Sequence, residues 1–331
     1  MKSHRLLCVL LCLIACSCNQ AMRQSKAQQV LVPEKDNVIY SFDGSRVVSR
    51  LFLCDSNIVA FTLQEPFFSS ISIEKKKVLF SFGRKGRARG EFPEIPQGIN
   101  IRRGRLQFLD NVSKSLVSLS AQDGGMQARP VPYDAGFRPF RMVEVEGKMI
   151  AIGGLDVGRV AYVDSTQRIV IGEEYPFNTG TLDGVYRGAV LQSEIAAAPS
   201  KPMVLIRTMA SDCFEIYKVM ESGIKRVFVN DFKYPPVIEN NRLDPGNSKA
   251  GYIRSFVDDS YIYLMFSNDS YRESSRAGYL SDTIHIFDWD GNLNRIIHLP
   301  EKIGAFCVNG TSLYGTIELP DRSDIVEYII N

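Results

Sequence analysis

The sequence predicts an all-β protein, and more specifically a six-bladed β-propeller of four-stranded antiparallel blades. Short apolar or alternating runs separated by turn residues recur along nearly the whole chain. One unit also repeats, consisting of a strand, a polar hairpin, a second strand and a Pro-containing link. The units follow one another at about 40 to 70 residues, a range that includes the length of a propeller blade. The anchor residues of the units are Ile73, Leu119, Val163, Tyr217, Phe287 and Tyr328.

The individual strands are predicted from apolar runs that end at Gly, Pro, Asn, Asp or Ser. They are expected at residues 47–53, 58–63, 69–73, 78–82, 105–109, 115–119, 149–152, 159–163, 203–208, 213–219, 226–229, 261–266, 283–287 and 325–330. Helices are expected to be few and short. The candidate is Ser193 to Ala198, which is followed by Pro199 and Pro202.

The two ends of the repeat region predict how the ring closes. The sixth unit stops after its third strand, and an additional strand at residues 37–42 precedes the first unit. Because open sheet edges favour aggregation, we expect the N-terminal strand to complete the last blade. The propeller then spans residues 37–331, and a pair of β-sandwiches is the structural alternative.

The N-terminus predicts export and lipid anchoring. Residues 1–15 carry Lys2 and Arg5 near their start, and about nine apolar residues follow, too few to span a bilayer. The run ends in Leu-Ile-Ala before Cys16, which resembles the lipobox of bacterial lipoproteins. Cys16 is therefore the expected lipidation site, residues 16–36 a flexible tether, and an ordinary signal peptide the alternative. Residues 17–29 contain no acidic side chain, which favours the periplasmic face of the outer membrane.

Composition and charge limit the classes of partner. The 331 residues are 45% hydrophobic and 23% charged, as in soluble globular proteins. They include 39 basic and 37 acidic residues, and loss of Lys2 and Arg5 with the leader makes this balance 37 to 37. A neutral chain gives no global electrostatic reason to bind nucleic acid. We expect a monomer with no nucleic-acid partner, attached to the membrane through its lipid alone.

The cysteines beyond the leader form a poor disulfide framework. Cys54, Cys213 and Cys307 are widely separated and lie among apolar neighbours. Buried strand cysteines are expected. A single disulfide between two of these cysteines is the alternative.

The C-terminal part resembles a known family. The segments YIYLMFS (261–267), SDTIHIFDWDGNLNRIIHL (281–299) and AFCVNGTSLYGTI (305–317) are similar to the TolB-like six-bladed propeller-like lipoproteins. The segment 82–101, which contains Gly-Glu-Phe, also resembles a blade junction of six-bladed and NHL-type propellers. The resemblance implies an envelope lipoprotein of unassigned activity. Since the additional α/β domain of TolB is not evident here, it does not extend to the partners of TolB.

Catalytic motifs are weak in this chain. His285 and His298 lie in or beside predicted strands, and the sequence has no G-x-S-x-G motif and no phosphate-binding loop. Asp288 to Asn292 is interpreted as a hairpin turn, since Asp-Gly between apolar strands favours that turn. A calcium-dependent hydrolase of the lactonase type, with ligands such as Glu144, Asn268 and Asp269, remains the alternative function. No cofactor and no metal site are predicted.

The candidate binding residues are basic side chains and loop tyrosines. A basic run near a blade junction is able to place several guanidinium groups on one face, where they would bind a phosphate or carboxylate. Its residues are Arg84, Lys85, Arg87, Arg89, Arg102 and Arg103. The long links 230–250 and 267–282 add Tyr234, Tyr271 and Tyr279 as possible contacts. The sequence thus predicts a binding or scaffold module for an envelope protein or glycan.

Overall fold

Six four-stranded antiparallel blades surround a central channel in the computed structural model. The structure describes residues 29–31, 35–44, 46–88, 90–134, 136–164, 166–180, 182 and 184–330. The expected signal peptide, Cys16 and most of the expected tether lie outside these residues. The predicted six-bladed propeller is confirmed.

The strands follow the order of the chain. Two N-terminal strands are β1 (Gln29–Leu31) and β2 (Lys35–Asp43). Blades one and two contain β3 (Val48–Cys54), β4 (Asn57–Thr62), β5 (Phe68–Ser72), β6 (Lys77–Phe82), β7 (Asn100–Arg102), β8 (Arg105–Asp110), β9 (Ser115–Ser120) and β10 (Met126–Pro130). Blade three contains β11 (Phe137–Val145), β12 (Lys148–Leu155), β13 (Val160–Val163) and β14 (Ile169–Gly172).

The second half of the ring begins after a short helix, α1 (Gly184–Val190). Blade four contains β15 (Ser193–Ala197), β16 (Met203–Thr208), β17 (Phe214–Met220) and β18 (Gly223–Val229). The link to the next blade carries a small hairpin of β19 (Ile238–Glu239) and β20 (Arg242–Leu243). Blade five contains β21 (Lys249–Val257), β22 (Tyr261–Ser270), β23 (Ser281–Asp288) and β24 (Leu293–Ile303), with helix α2 (Tyr271–Arg276) between β22 and β23. Blade six contains β25 (Phe306–Asn309), β26 (Ser312–Glu318) and β27 (Arg322–Ile329).

The position of a strand within its blade explains its sequence pattern. In β4, one of the middle strands of blade one, five consecutive residues are buried because neighbouring blades cover both of its faces. The outermost strand β6 alternates between exposed and half-buried positions, the pattern of a strand with one covered face. Side chains from adjacent blades form the apolar core, as where Phe61 and Phe68 pack near Phe92 and Phe108.

The alternating strand directions divide the molecule into two faces. The inner strands β3, β7, β11, β15, β21 and β25 all begin at one face, because the other three strands of each blade return the chain to it. We call this the loop face. It carries the links 83–99, 131–136, 173–192 and 230–248 and the turn 271–280. The opposite face, the hairpin face, carries tight turns such as 55–56, 74–76 and 103–104.

Both N-terminal strands lie at outer blade edges. Strand β2 pairs antiparallel with β27, the third strand of blade six. Strand β1 pairs in parallel with β24 at the edge of blade five. The expectation of a flexible tether over residues 16–36 is therefore wrong for 29–31 and 35–36. An unpaired edge strand offers free backbone groups to other chains, and β1 covers the edge of blade five that β24 would otherwise expose.

The expected helix at Ser193 to Ala198 is wrong. Residues 193–197 form the inner strand of blade four and pair with β16. Ala and Glu favour helices in isolation, but pairing with a neighbouring strand outweighs that preference. The three body cysteines are free and buried, so the possible bridge is not formed in this structure.

Candidate functional site

An arginine cluster occupies the central channel, with three arginines and one glutamate in its lining and a fourth arginine behind them. Its cavity, of about 50 Å³, is lined by inner strands from all six blades, including the side chains of Arg50, Arg141, Glu194 and Arg254. Arg207 lies behind Glu194 on β16. Blades two and six contribute uncharged residues such as Ile99, Asn100 and Phe306.

Glu194 is the centre of this cluster. It faces Arg207 directly across the β15–β16 pair, and the Arg207 Nη2 to Glu194 Oε2 distance is 2.7 Å. Arg50 reaches its other carboxylate oxygen from blade one, on the opposite side of the ring. Burial opposes ionisation of this carboxyl, but the charges of Arg207, Arg50 and Arg141 outweigh it and hold its pKa well below the usual value.

Arg141 and Arg254 flank Glu194 from blades three and five. Arg141 Nε donates to the carbonyl oxygen of Ser193 at 2.8 Å. Arg254 donates to the carbonyls of Gly304 and Ile253, each at 3.3 Å. No carboxylate in the described part of the chain lies within ion-pair distance of either guanidinium. These two arginines are therefore held by neutral carbonyl groups.

The positive charge of the cluster exceeds its negative charge by three, since four arginines face one carboxylate. Burial and then the charge of Arg50 lower the pKa of Arg254 to about 10. Burial also lowers the pKa of Arg141. Like charges held close together in a recess repel one another, and an anion in the channel relieves that repulsion.

Gly98 gives Arg141 its place in the channel. A Cβ atom at Gly98 would lie 2.8 Å from Cγ of Arg141, closer than nonbonded carbon atoms approach. Gly98 also has φ of +59°, a conformation that glycine adopts at little cost. The glycine therefore allows this guanidinium to lie against blade two.

Two of the three predicted tyrosines are beside the arginine cluster. Helix α2 begins with Tyr271 after a capping box formed by Ser270 and Glu273. The Tyr279 hydroxyl donates to that of Tyr271 at 3.1 Å, and the Arg254 guanidinium lies 5.3 Å from the Tyr279 ring centroid. Tyr234 belongs to the link 230–248, where its backbone N–H donates to Asp212.

A second cavity, of about 270 Å³, lies between blades three and four at the loop face. Arg141 lines both this cavity and the channel. The other lining residues include Phe140, Tyr175, Gln97 and Gln192. Helix α1 borders it and packs closely on β12, since a Cβ atom at Gly188 would lie 1.8 Å from the carbonyl oxygen of Gly153.

The predicted basic run does not form one patch. Arg84, Lys85 and Arg87 are exposed on the loop face, and Arg89 lies outside the described residues. Arg102 and Arg103 lie at the far end of β7, on the hairpin face, so the expectation that they share a face with Arg84, Lys85 and Arg87 is wrong. Arg102 is buried and pairs with Glu146 at 2.8 Å, and Arg103 pairs with the same carboxylate. The exposed cations at residues 84, 85 and 87 and the Arg102–Arg103 pair therefore lie on opposite faces of the propeller.

The residues weighed for a metal site are not brought together. Glu144 is near the hairpin end of β11 and pairs with Arg129, whereas Asn268 and Asp269 are at the loop end of β22. Within the described ranges no three His, Cys, Asp or Glu side chains are grouped in a way that would hold a metal ion. The Asp288 carboxylate accepts from the backbone of Asp290 and Asn292, and this confirms the hairpin turn.

His285 is a half-buried side chain of blade five. It stacks on Phe266 with ring centroids 5.0 Å apart, and the Tyr252 hydroxyl lies 3.2 Å from its Nδ1 atom. Burial, with a smaller contribution from His298, lowers its pKa from 6.5 to about 4. The imidazole is therefore neutral in the folded protein at neutral pH.

Acid should weaken the fold through this histidine. The unfolded chain takes up the proton near pH 6.5 and the folded chain only near pH 4, so stability falls as the pH falls through that window. The loss reaches about 3 kcal/mol. We expect the free energy of unfolding of the H285F variant, measured with urea at each pH, to change less between pH 6.5 and 4 than that of the wild type. An equal pH dependence of the unfolding free energy in both proteins would contradict this role of His285.

The sequence contains a signal for the arginine cluster, although none of its five residues was predicted as a site residue. Arg50, Arg207 and Arg254 each interrupt an apolar run that predicts a buried strand, as in VLIRT and YIRSFV. A charged side chain within such a run needs a partner or an opening to solvent. No spacing rule reveals that these strands meet at one channel.

The ring of six blades and its cationic channel define a six-bladed β-propeller with a charged central site. The family model for TolB-like 6-blade propeller-like proteins matches residues 50–311, and the chain belongs to this family. The resemblance seen in the sequence is thereby confirmed. No curated protein matches the chain.

Two solved structures show the same fold. A Bacteroides fragilis protein described as exported has 11% identity and a TM-score of 0.53, over 90% of this chain and 93% of that one. A member of the DUF4221 family from Bacteroides vulgatus has 9% identity and a TM-score of 0.51, over 92% and 99%. At such low identities these similarities concern the fold alone.

Proposed function

We propose that this chain is a cell-envelope lipoprotein whose propeller acts as a binding or scaffold module for a protein or glycan partner. Its loop face is the binding face. The observation that carries the proposal is the arginine-rich channel, in which Gly98, Arg50 and Glu194 lie near the ends of inner strands at the face that bears the long links. Recognition commonly resides in loops held by a rigid scaffold.

The charges and apolar side chains of the loop face support this role. Arg84, Lys85 and Arg87 are exposed there, on the link from blade one to blade two. Val157 and Tyr186 project from the same face at blade three and are 59% and 51% exposed. Exposed cations and exposed apolar groups on one face fit a partner that carries negative charge.

The envelope location is part of the same proposal. Lipidation of Cys16 would anchor the chain, with the periplasmic face of the outer membrane as the favoured position. No helix in the described residues is long and apolar enough to span a bilayer. A structural relative is itself described as exported. The anchor therefore rests on the lipobox-like sequence before Cys16.

In-cell photocrosslinking tests the binding face. A photoreactive residue at position 186 should give a discrete crosslinked product in the native bacterium, and protease treatment separates a protein partner from a glycan. In cells kept in a low-salt medium, the R84A/K85A/R87A variant should lower the yield of this product about tenfold, since each exposed charge contributes up to about 1 kcal/mol. In the same cells, a Cys16→Ser variant should appear in the soluble fraction.

The matched control is K75A/K76A/K77A, which removes three cations from the same blade. Lys75, Lys76 and Lys77 are exposed at the β5–β6 turn on the hairpin face. Their removal should leave the product unchanged. Equal losses in both variants, or a product only from a photoreactive residue at position 75, would place binding elsewhere.

A further inference from the structure

We propose that the arginine cluster of the channel is a binding site for a doubly charged oxyanion, either a phosphate group or a pair of carboxylates. This inference rests on the proposed function and names the chemistry that the loop face recognises. The site consists of Arg50, Arg141 and Arg254 around the cavity, with Glu194 at its wall and Arg207 behind Glu194.

The charge of the cluster favours an anion of this valence. Four guanidinium groups surround one carboxylate, which leaves three positive charges in a recess. A dianion reduces that excess to one. Because the recess is partly shielded from solvent, the attraction is stronger than at an open surface. A monoanion would leave two positive charges and gain less.

Some guanidinium donors that line the channel make no hydrogen bond within the described part of the chain. In the described contacts Arg141 uses its Nε–H on Ser193, so its two terminal nitrogens are available to a ligand in the channel. Arg254 is held by two carbonyls at 3.3 Å, the upper end of hydrogen-bond length. Arg207 does not line the cavity, since its terminal nitrogens donate to Glu194 and to the carbonyls of Tyr252 and Ile253, and it therefore positions Glu194 and not a ligand. A planar guanidinium fork binds the paired oxygens of phosphate or carboxylate.

The size of the cavity limits what enters. A volume of about 50 Å³ has room for a few water-sized groups, which suits a small dianion such as phosphate or malonate and excludes a sugar ring or a side chain with its backbone. The rest of a larger ligand would have to remain outside the channel. The shared lining residue Arg141 makes the neighbouring cavity of about 270 Å³ a suitable place for it.

Calorimetry and thermal unfolding of the full chain, purified in detergent, test the site. Inorganic phosphate and malonate are the probes, with acetate and chloride at equal ionic strength as references. Phosphate or malonate should bind and raise the unfolding temperature. Tighter binding of phosphate would indicate a phosphate group as the natural ligand, and tighter binding of malonate would indicate a pair of carboxylates. Identical curves in all four salts would overturn the proposal.

Variants locate the binding. Arg254→Gln should weaken binding of the preferred dianion about tenfold or more, because it removes one charge-assisted contact. Arg168→Gln is the matched control, since Arg168 is 72% exposed and lies in a hairpin-face turn. Glu194→Gln provides a second, independent readout. The dianion should raise the unfolding temperature of this variant more than that of the wild type, because it replaces the lost carboxylate.

The outcomes separate this inference from the proposed function. If no dianion binds but the crosslinked product at position 186 persists, the propeller remains a binding module and the channel is structural. If the dianion binds and Arg254→Gln weakens it, the inference stands even when no crosslinked partner is found. Equal weakening by Arg254→Gln and Arg168→Gln would assign the effect to general charge and overturn the site.

Discussion

Replacement of Glu194 by glutamine should lower the free energy of unfolding by about 3–5 kcal/mol. Glu194 is the carboxylate that compensates Arg207, whose side chain is only 1% exposed. It also accepts from Arg50, so one neutral substitution leaves arginines from two blades without a counter-charge. The penalty for an unpaired buried charge is much larger than the contribution of an exposed ion pair.

Urea unfolding measures the effect. The control is Asp321→Asn, which removes the carboxylate of the exposed Arg322–Asp321 pair at 3.8 Å and should cost less than about 1 kcal/mol. A similar small value for Glu194→Gln would show that solvent already compensates Arg207.

The same carboxylate gives a pH dependence with a definite sign. Its pKa in the folded protein lies well below the usual 4.5 of the unfolded chain. Its stabilisation is therefore complete above pH 4.5 and is lost as the pH falls through the lower, folded pKa. Glu194→Gln removes this acid-dependent part, whereas His285 acts at higher pH.

Arg159 and Glu215 should show the other large effect, since they form a buried ion pair between blades three and four. Their side chains are 1% and 0% exposed, and Arg159 Nε lies 2.9 Å from Glu215 Oε1. Burial opposes the charge of Arg159, but Glu215 raises its pKa above the usual value. Glu215→Gln should cost about 3–5 kcal/mol, because it leaves the buried Arg159 without its counter-charge, and Arg159→Met should cost less, because Arg226 still pairs with Glu215 at 3.1 Å.

Further contacts make this pair part of a network. Arg159 also donates to Ser193 and Thr208 of blade four. The Tyr217 hydroxyl donates to Glu215 at 2.7 Å. The Arg159 guanidinium also lies 4.7 Å from the Tyr175 ring centroid.

A double-mutant cycle should reveal the coupling. The free energy of unfolding of the Arg159→Met/Glu215→Gln variant should fall by less than the sum of the decreases in the two single variants, with a coupling energy of about 2–3 kcal/mol. The exposed Arg168–Asp164 pair, at 3.2 Å, is the matched control and should couple by less than about 1 kcal/mol. Additive losses at Arg159 and Glu215 would contradict the network.

Prediction from sequence succeeded where the signal is local. The strands of blade one follow from apolar runs such as Ile58 to Leu63, and the Asp288 turn follows from its Asp-Gly pair. It failed at Ser193 to Ala198, because a strand made of Ser, Glu, Ile and Ala is specified by its neighbour and not by its own residues. It also placed Arg102 with Arg84, although β7 carries the chain from one face to the other between them.

The sequence by itself determined the all-β class, the six repeated units, the TolB-like family and the exposed cations at residues 84, 85 and 87. These features depend on period, spacing and composition within short segments. Only the tertiary structure decided the channel. Arg50, Arg141, Glu194, Arg207 and Arg254 belong to four different blades, up to about 200 residues apart in the chain. They meet because inner strands converge on one axis, and distances across that axis have no counterpart in the linear order of residues.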